Sequence, residues 1–110
     1  MTEFANAVNK AELLNALVAQ KDHVLDLMNR AQDAGELQRA YGLFALLAPA
    51  WYAAGYGYKA REVRQKFHEL AQATLVAEEA YLAACRKNCS TRRSTESNMV
   101  VLRALIEGTR

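Results

Sequence analysis

The stretch from Tyr41 to Tyr58 constrains this chain most, because its eighteen consecutive residues include no charged side chain. It holds the only Trp and the only Pro, together with four of the five Tyr and three of the five Gly. A helix that is apolar on nearly all sides is either central in its fold or covered by another chain. The other segments must therefore cover this stretch or help it to meet a partner.

The composition predicts an all-α protein. A length of 110 residues is typical of one domain, so we expect a single helical domain over residues 1–110. Hydrophobic residues make up 52% of the chain, which excludes disorder. Many of them are Ala, the best helix former, and no long window alternates polar and apolar residues. We expect a small bundle of about four helices, two of them long, one kinked at Pro49 and one short at the C-terminus.

The first predicted helix carries an apolar stripe with three- and four-residue steps. The stripe consists of Leu14, Leu17, Val18, Val24, Leu25, Met28 and Ala31. Asn9 and Glu12 have the spacing of a capping box, and Gly35 can adopt the left-handed conformation that ends a helix. We expect this helix from about Asn9 to Ala34, with residues 1–8 either frayed or extending it.

The second predicted helix runs from Glu36 into the uncharged stretch. Pro49 lacks a backbone donor and clashes with the preceding turn, so we expect a kink between residues 45 and 49. Gly55 and Gly57 are expected to end this helix.

The third predicted helix covers about Lys59 to Arg86 and shows a heptad-like seam. The seam consists of Val63, Phe67, Leu70, Thr74, Ala77, Tyr81 and Ala84. It is too short for a free coiled coil, so we expect it inside a bundle or across a dimer axis. Residues 87–98 are polar and predict a loop. A short last helix follows, capped by Ser94 or Thr95, with Met99, Leu102, Leu105 and Ile106 on its apolar side.

The residues that could carry chemistry form no recognisable site. His23 and His68 lie on different predicted helices without a nucleophile or metal-spaced cluster. Cys85 and Cys89 are only four residues apart and are expected to be reduced thiols of a cytoplasmic protein. No apolar run is long enough to cross a bilayer. We therefore expect a protein that is not an enzyme, binds no metal or cofactor, and does not enter a membrane.

The segment around Trp51 to Phe67 resembles a tetratricopeptide-type helical hairpin. The likeness rests on Ala50, Trp51, Tyr52, Gly55, Tyr58, Ala60 and Phe67. It covers only about a quarter of the chain, whereas a solenoid needs roughly three repeats, and Pro49 falls where the motif has a helix interior. The resemblance implies one antiparallel pair of closely packed helices.

The same segment also resembles a DNA-binding helix-turn-helix. Ala53, Gly57 and Val63 have the spacing of that motif's small residue, turn glycine and buried aliphatic residue. The resemblance implies that Arg61, Arg64 and Lys66 lie on a recognition helix, although Lys66 stands where the motif buries an apolar residue.

The charge distribution shows that the C-terminal part of the chain is basic, which is relevant to DNA binding. Residues 1–85 carry eight Lys and Arg against ten Asp and Glu, whereas residues 86–110 carry six against two. The basic loop with Arg86, Lys87, Arg92 and Arg93 could contact phosphates. A DNA-binding regulator is therefore the alternative function.

The surplus of aromatic residues favours a different function. Trp and Tyr are enriched at the centres of protein interfaces, and we expect Trp51, Tyr52, Tyr56 and Tyr58 to form a partner-binding patch. The sequence thus predicts a module that binds and regulates or masks another protein, as a regulator, antagonist or chaperone-like adaptor does. Because the first and third stripes are wide, we also expect a homodimer in which one of these helices meets its own copy.

Overall fold

The computed structural model describes the backbone of residues 2–84 and 92–110, and the side chains of residues 10–84 and 93–110. These residues form four helices and no strand. The helices are α1 (Thr2–Arg30), α2 (Ala34–Ala53), α3 (Gly57–Ala84) and α4 (Arg92–Gly108). The predicted all-α bundle of four helices is confirmed.

Helix α2 occupies the centre of the arrangement and packs against α1, α3 and α4. The molecule is elongated, with extents of 71 × 22 × 16 Å. Elongation follows from the helix lengths, because α1 has 29 residues and α3 has 28, whereas α2 has 20. The two long helices, α1 and α3, extend past opposite ends of α2. Helix α4 packs on the part of α3 that lies beyond α2.

The junction between α1 and α2 differs from the sequence prediction. Helix α1 already begins at Thr2, so Asn9 lies inside it, and it ends at Arg30 instead of Ala34. The Asp33 carboxylate accepts a hydrogen bond from the Glu36 N–H at 2.8 Å, and the Glu36 carboxylate accepts one from the Gln32 N–H at 2.7 Å. The prediction that Gly35 ends the first helix was wrong, because Asp33 caps the start of α2 and Gly35 lies in its first turn.

The junction between α2 and α3 is a Schellman motif. Gly55 has a φ of 80°, the left-handed conformation that glycine adopts without strain. Its N–H donates to the Tyr52 carbonyl at 3.1 Å, and the Tyr56 N–H donates to the Trp51 carbonyl at 2.7 Å. The predicted role of Gly55 is confirmed, whereas Gly57 begins α3 instead of ending α2. Helix α2 continues through Pro49, and the kink expected there stays a prediction.

Helix α4 starts earlier than the sequence suggested. Residues 92–98, expected in a polar loop, belong to this helix, while residues 87–91 lie outside the described part of the chain. Thr95 is only 4% exposed and shares a buried stripe with Met99, Leu102 and Ile106. Packing of this stripe against α3 outweighs the weak helix propensity of Ser, Thr and Asn.

Aromatic rings form the middle of the core. Trp51 and Phe67 are completely buried, and the Phe44 ring lies between them, with ring centroids 5.6 and 5.9 Å away. The Trp51 Nε1 donates a hydrogen bond to the Gln20 Oε1 at 2.9 Å and so ties α2 to α1. The Tyr41 hydroxyl donates to the Gly108 carbonyl at 3.1 Å and ties α2 to the end of α4.

Trp51→Ala should lower the free energy of unfolding by about 3–5 kcal/mol, the usual range for truncating a buried Trp. The indole is enclosed, and its removal also leaves Gln20 without its partner. Denaturant unfolding followed by circular dichroism measures this change. A loss below about 1 kcal/mol would contradict the core position of Trp51.

Candidate functional site

The structure divides the predicted partner-binding patch between core and surface. Trp51 and Tyr56 are 0% and 5% exposed, whereas Tyr52 and Tyr58 are 46% and 52% exposed. The predicted membership of the patch must therefore be corrected. The Schellman motif folds Tyr56 back onto Trp51, with ring centroids 5.9 Å apart. This is the apolar contact that often accompanies such a helix end. Only Tyr52 and Tyr58, which we call the tyrosine pair, are accessible, and partner binding by them stays a prediction.

Tyr52 rests on the backbone of Gly57. A Cβ atom added to Gly57 would lie 2.7 Å from the Tyr52 Cε1 and closer still to Cδ1. Any side chain at position 57 would therefore displace the ring. The absence of a side chain at Gly57 lets the Cδ1–Cε1 edge of the Tyr52 ring contact the start of α3 while the ring remains half-exposed.

Tyr58 is held by its neighbours on both sides. Its ring makes an edge-to-face contact with Tyr56, with centroids 5.6 Å apart, and the Lys59 Nζ lies 5.6 Å from its centroid. Lys59 donates a hydrogen bond to the Glu62 carboxylate at 3.2 Å, and this bond raises the pKa of Lys59. The ammonium group near the Tyr58 ring therefore stays protonated at neutral pH.

A second unusual surface lies on the outside of α2, and sequence reasoning did not single it out. We call it the outer face of α2; its residues are Gly42, Ala45, Leu46, Pro49, Ala50 and Ala53, all exposed. Leu46 is 80% exposed, the highest value among the large hydrophobic side chains that the structure describes. A Cβ atom added to Gly42 would meet no atom within 4 Å. The signal was present in the uncharged stretch, since burial of Leu37, Phe44 and Trp51 leaves these positions on the opposite side.

A third apolar surface belongs to the N-terminal part of α1. Leu13, Leu14 and Val18 are 50%, 51% and 37% exposed. Leu13 continues the stripe of Leu17 and Val24, both buried, at helical spacing toward the N-terminus. The stripe is therefore covered near Gln20, where α1 meets Trp51, and open one to two turns earlier.

Helices α2 and α3 form an antiparallel hairpin. The Phe67 ring lies 5.4 Å from Tyr41 and 5.9 Å from Phe44, although these residues are far from the turn along their helices. In a helix-turn-helix, which crosses at about 90–120°, Phe44 and Phe67 would be roughly 20 Å apart. Ala60, only 1% exposed, allows close approach near the turn. The observed geometry is the one that the tetratricopeptide-type resemblance implies.

The basic residues of α3 do not share one face. Arg64 and Lys66 are two positions apart, which places them roughly 200° apart around the helix. Lys66 lines an open hollow beside Leu25, Met28 and Leu70, between α1 and α3. Arg86 and Lys87 lie outside the described residues. Arg61 and Lys66 also line one open hollow together with Glu62 and Glu69, and Arg64 lies outside it, so the three basic side chains do not form one uninterrupted basic surface.

His68 has a structural partner. Its Nδ1 lies 2.9 Å from the Thr109 Oγ1, and that hydroxyl donates its proton to the Leu105 carbonyl at 2.8 Å. The donor in the hydrogen bond between His68 and Thr109 depends on the tautomer of the ring. This bond fastens the end of α4 to α3, while His23 is exposed.

The remaining candidate features concern metal binding and membrane insertion. Cys85 and Cys89 lie outside the described residues. Within residues 10–84 and 93–110, no three His, Cys, Asp or Glu side chains are grouped to hold a metal ion. None of the described helices combines the length and apolar character needed to span a membrane.

Comparisons with protein-family models, curated protein sequences and solved structures found no significant match to this chain. The functional assignment therefore depends on the surfaces described above.

Gly57→Ala should destabilise the protein by roughly 1–3 kcal/mol, because the new methyl group would overlap the Tyr52 ring. In the Tyr52→Ala background the same substitution should be close to neutral. Chemical denaturation of the four proteins gives the coupling energy between the two positions.

Gly42→Ala is the matched control, because it adds the same methyl group to α2 in open space. It should stabilise the protein by about 0.5–1 kcal/mol through helix propensity. Equal effects of Gly57→Ala with and without the Tyr52 ring would disprove the packing of that ring on Gly57.

Proposed function

We propose that this protein is a small helical protein-interaction module that binds another protein through the tyrosine pair and regulates or masks it. The observation that carries the proposal is the way Tyr52 and Tyr58 are held. Each is half-exposed, yet each ring is fixed by a contact of its own, with Gly57 or with Tyr56. Aromatic side chains that are rigid before binding lose little conformational entropy when a partner covers them.

The surroundings of the tyrosine pair support a protein partner. On the α2 side the tyrosine pair borders a stretch with no charged residue between Arg39 and Lys59. On the α3 side Tyr58 borders the ion pair of Lys59 and Glu62, which would lie in the polar rim of an interface. Interface cores are depleted of charged residues and enriched in Tyr and Trp. A nucleic acid would instead require several basic side chains on one surface, and those of α3 are spread around the helix.

Association of two copies is part of the proposal. Of the two helices expected to meet their own copies, α3 buries Val63 and Phe67 of its seam within the chain. Helix α1 leaves Leu13, Leu14 and Val18 exposed. The exposed apolar surfaces are therefore the N-terminal part of α1, the outer face of α2 and the part of α3 around Val76 and Tyr81.

The double variant Tyr52→Ala/Tyr58→Ala should lose its protein partner while the fold remains. Affinity capture followed by mass spectrometry, with tagged wild-type and variant proteins, identifies the protein that only the wild type retains. Its affinity for the purified variant should fall by at least ~2 kcal/mol, about thirtyfold, which is the scale of an interface hot spot. Melting temperatures measured on the same samples separate loss of binding from loss of folding.

Val100→Ala is the matched control, since Val100 is 65% exposed on α4, away from the tyrosine pair. It should retain the partner. Identical capture by the wild type and the double variant would refute the role of the tyrosine pair. Recovery of nucleic acid with a steep salt dependence would favour the DNA-binding alternative.

A further inference from the structure

We propose that two copies of the chain associate through the outer faces of α2, antiparallel, with Leu46 of each copy seated on Gly42 of the other. The inference deepens the proposed function, since it names the surface by which the homodimer forms. It also accounts for the six residues of the uncharged stretch that lie exposed on the outer face of α2.

Gly42 is the first element of this inference. It lies inside α2, with an ordinary negative φ, and no neighbouring atom would obstruct a side chain there. Glycine is among the weakest helix formers, so nothing within one chain favours it at this position. A second surface that approaches α2 closely does require the absence of a side chain.

Leu46 supplies the matching projection. It lies one turn after Gly42 on the same face and is 80% exposed. If a two-fold axis passes beside Phe44, position 46 of one copy faces position 42 of the other, and the reverse holds by symmetry. Ala53 then faces Gly35 of the second copy. Each Leu46 therefore packs on the Gly42 of the other copy, and the same contact occurs twice, as a two-fold interface requires.

The charges of α2 are complementary in the same arrangement. The last turn of α2 has no basic residue to balance the partial negative charge of its carbonyl end. Arg39 is exposed and has no ion pair with any residue that the structure describes. The antiparallel pairing places Arg39 beside position 49 of the second copy, one turn from that carbonyl end. Between these ends both faces are uncharged, so no buried charge is left without a partner.

The area buried in the contact sets the expected affinity of the dimer. Helix α2 is about 30 Å long, and one helix pair buries less than the roughly 1,200 Å² of a stable interface. We therefore expect a reversible dimer with a dissociation constant of about 10–100 μM.

Sedimentation velocity of the purified protein, from about 5 to 500 μM, tests this range. The wild type should shift from the mass of one chain, 12.2 kDa, toward twice that mass. Leu46→Lys and Gly42→Leu should each weaken association at least tenfold. Position 42 has open space around it and Leu46 is 80% exposed, so the melting temperatures of both variants at low concentration should equal or exceed that of the wild type.

Two lysine variants act as matched controls for the added charge. Val100→Lys, on α4, and Leu14→Lys, on α1, introduce the same side chain at exposed apolar positions and should leave the dimer intact. A wild type that stays monomeric at 500 μM overturns the inference. So does a dimer that Leu14→Lys disrupts and Leu46→Lys does not, which would assign the dimer to α1.

This assay needs no other protein, so its outcome is separate from that of the proposed partner binding. Tyr52→Ala/Tyr58→Ala should still dimerise, and Leu46→Lys should still retain the partner. Loss of dimerisation in the tyrosine variant alone would overturn the α2 interface and leave the test of partner binding unchanged.

Discussion

The packing of Trp51 is the interaction on which the rest of the structure depends. Its indole contacts Phe44 within α2 and Tyr56 after the turn, and its N–H bonds to Gln20 of α1. One side chain thus joins α1, α2 and the turn at the point where the chain reverses. A buried aromatic ring contributes a large apolar area, and its hydrogen bond satisfies the one polar group that burial would otherwise leave without a partner.

The turn after α2 produces both core and surface from adjacent residues. The left-handed Gly55 directs Tyr56 onto Trp51, and Tyr52 is left to lie on Gly57. Tyr58 then projects beside Tyr56 at the start of α3. The tyrosine pair therefore rests on the closed core beneath it, which links the stability of the hairpin to its proposed use in binding.

Helix α2 combines a central position with an open side. Its inner face buries Leu37, Phe44 and Trp51 against the other three helices, while its outer face remains apolar and exposed. A chain that acts alone gains little from such a surface, because exposed apolar area contributes nothing to folding. Leu46 and Gly42 contribute favourable free energy only when a second surface packs against them.

The sequence by itself determined the all-α class, the number of helices and the break at Gly55, because helix periodicity and glycine conformation are local properties. It also indicated that the uncharged stretch is either central in the fold or meets a partner. The start of α2 at Asp33 is also local, because Asp33 and Glu36 have the spacing of a helix cap, but the sequence analysis assigned these residues to the end of α1. Only packing against α3 drew residues 92–98 into α4. The division of the aromatic patch into buried Trp51 and exposed Tyr52 depends on how three helices meet, and local sequence patterns carry no information about that geometry.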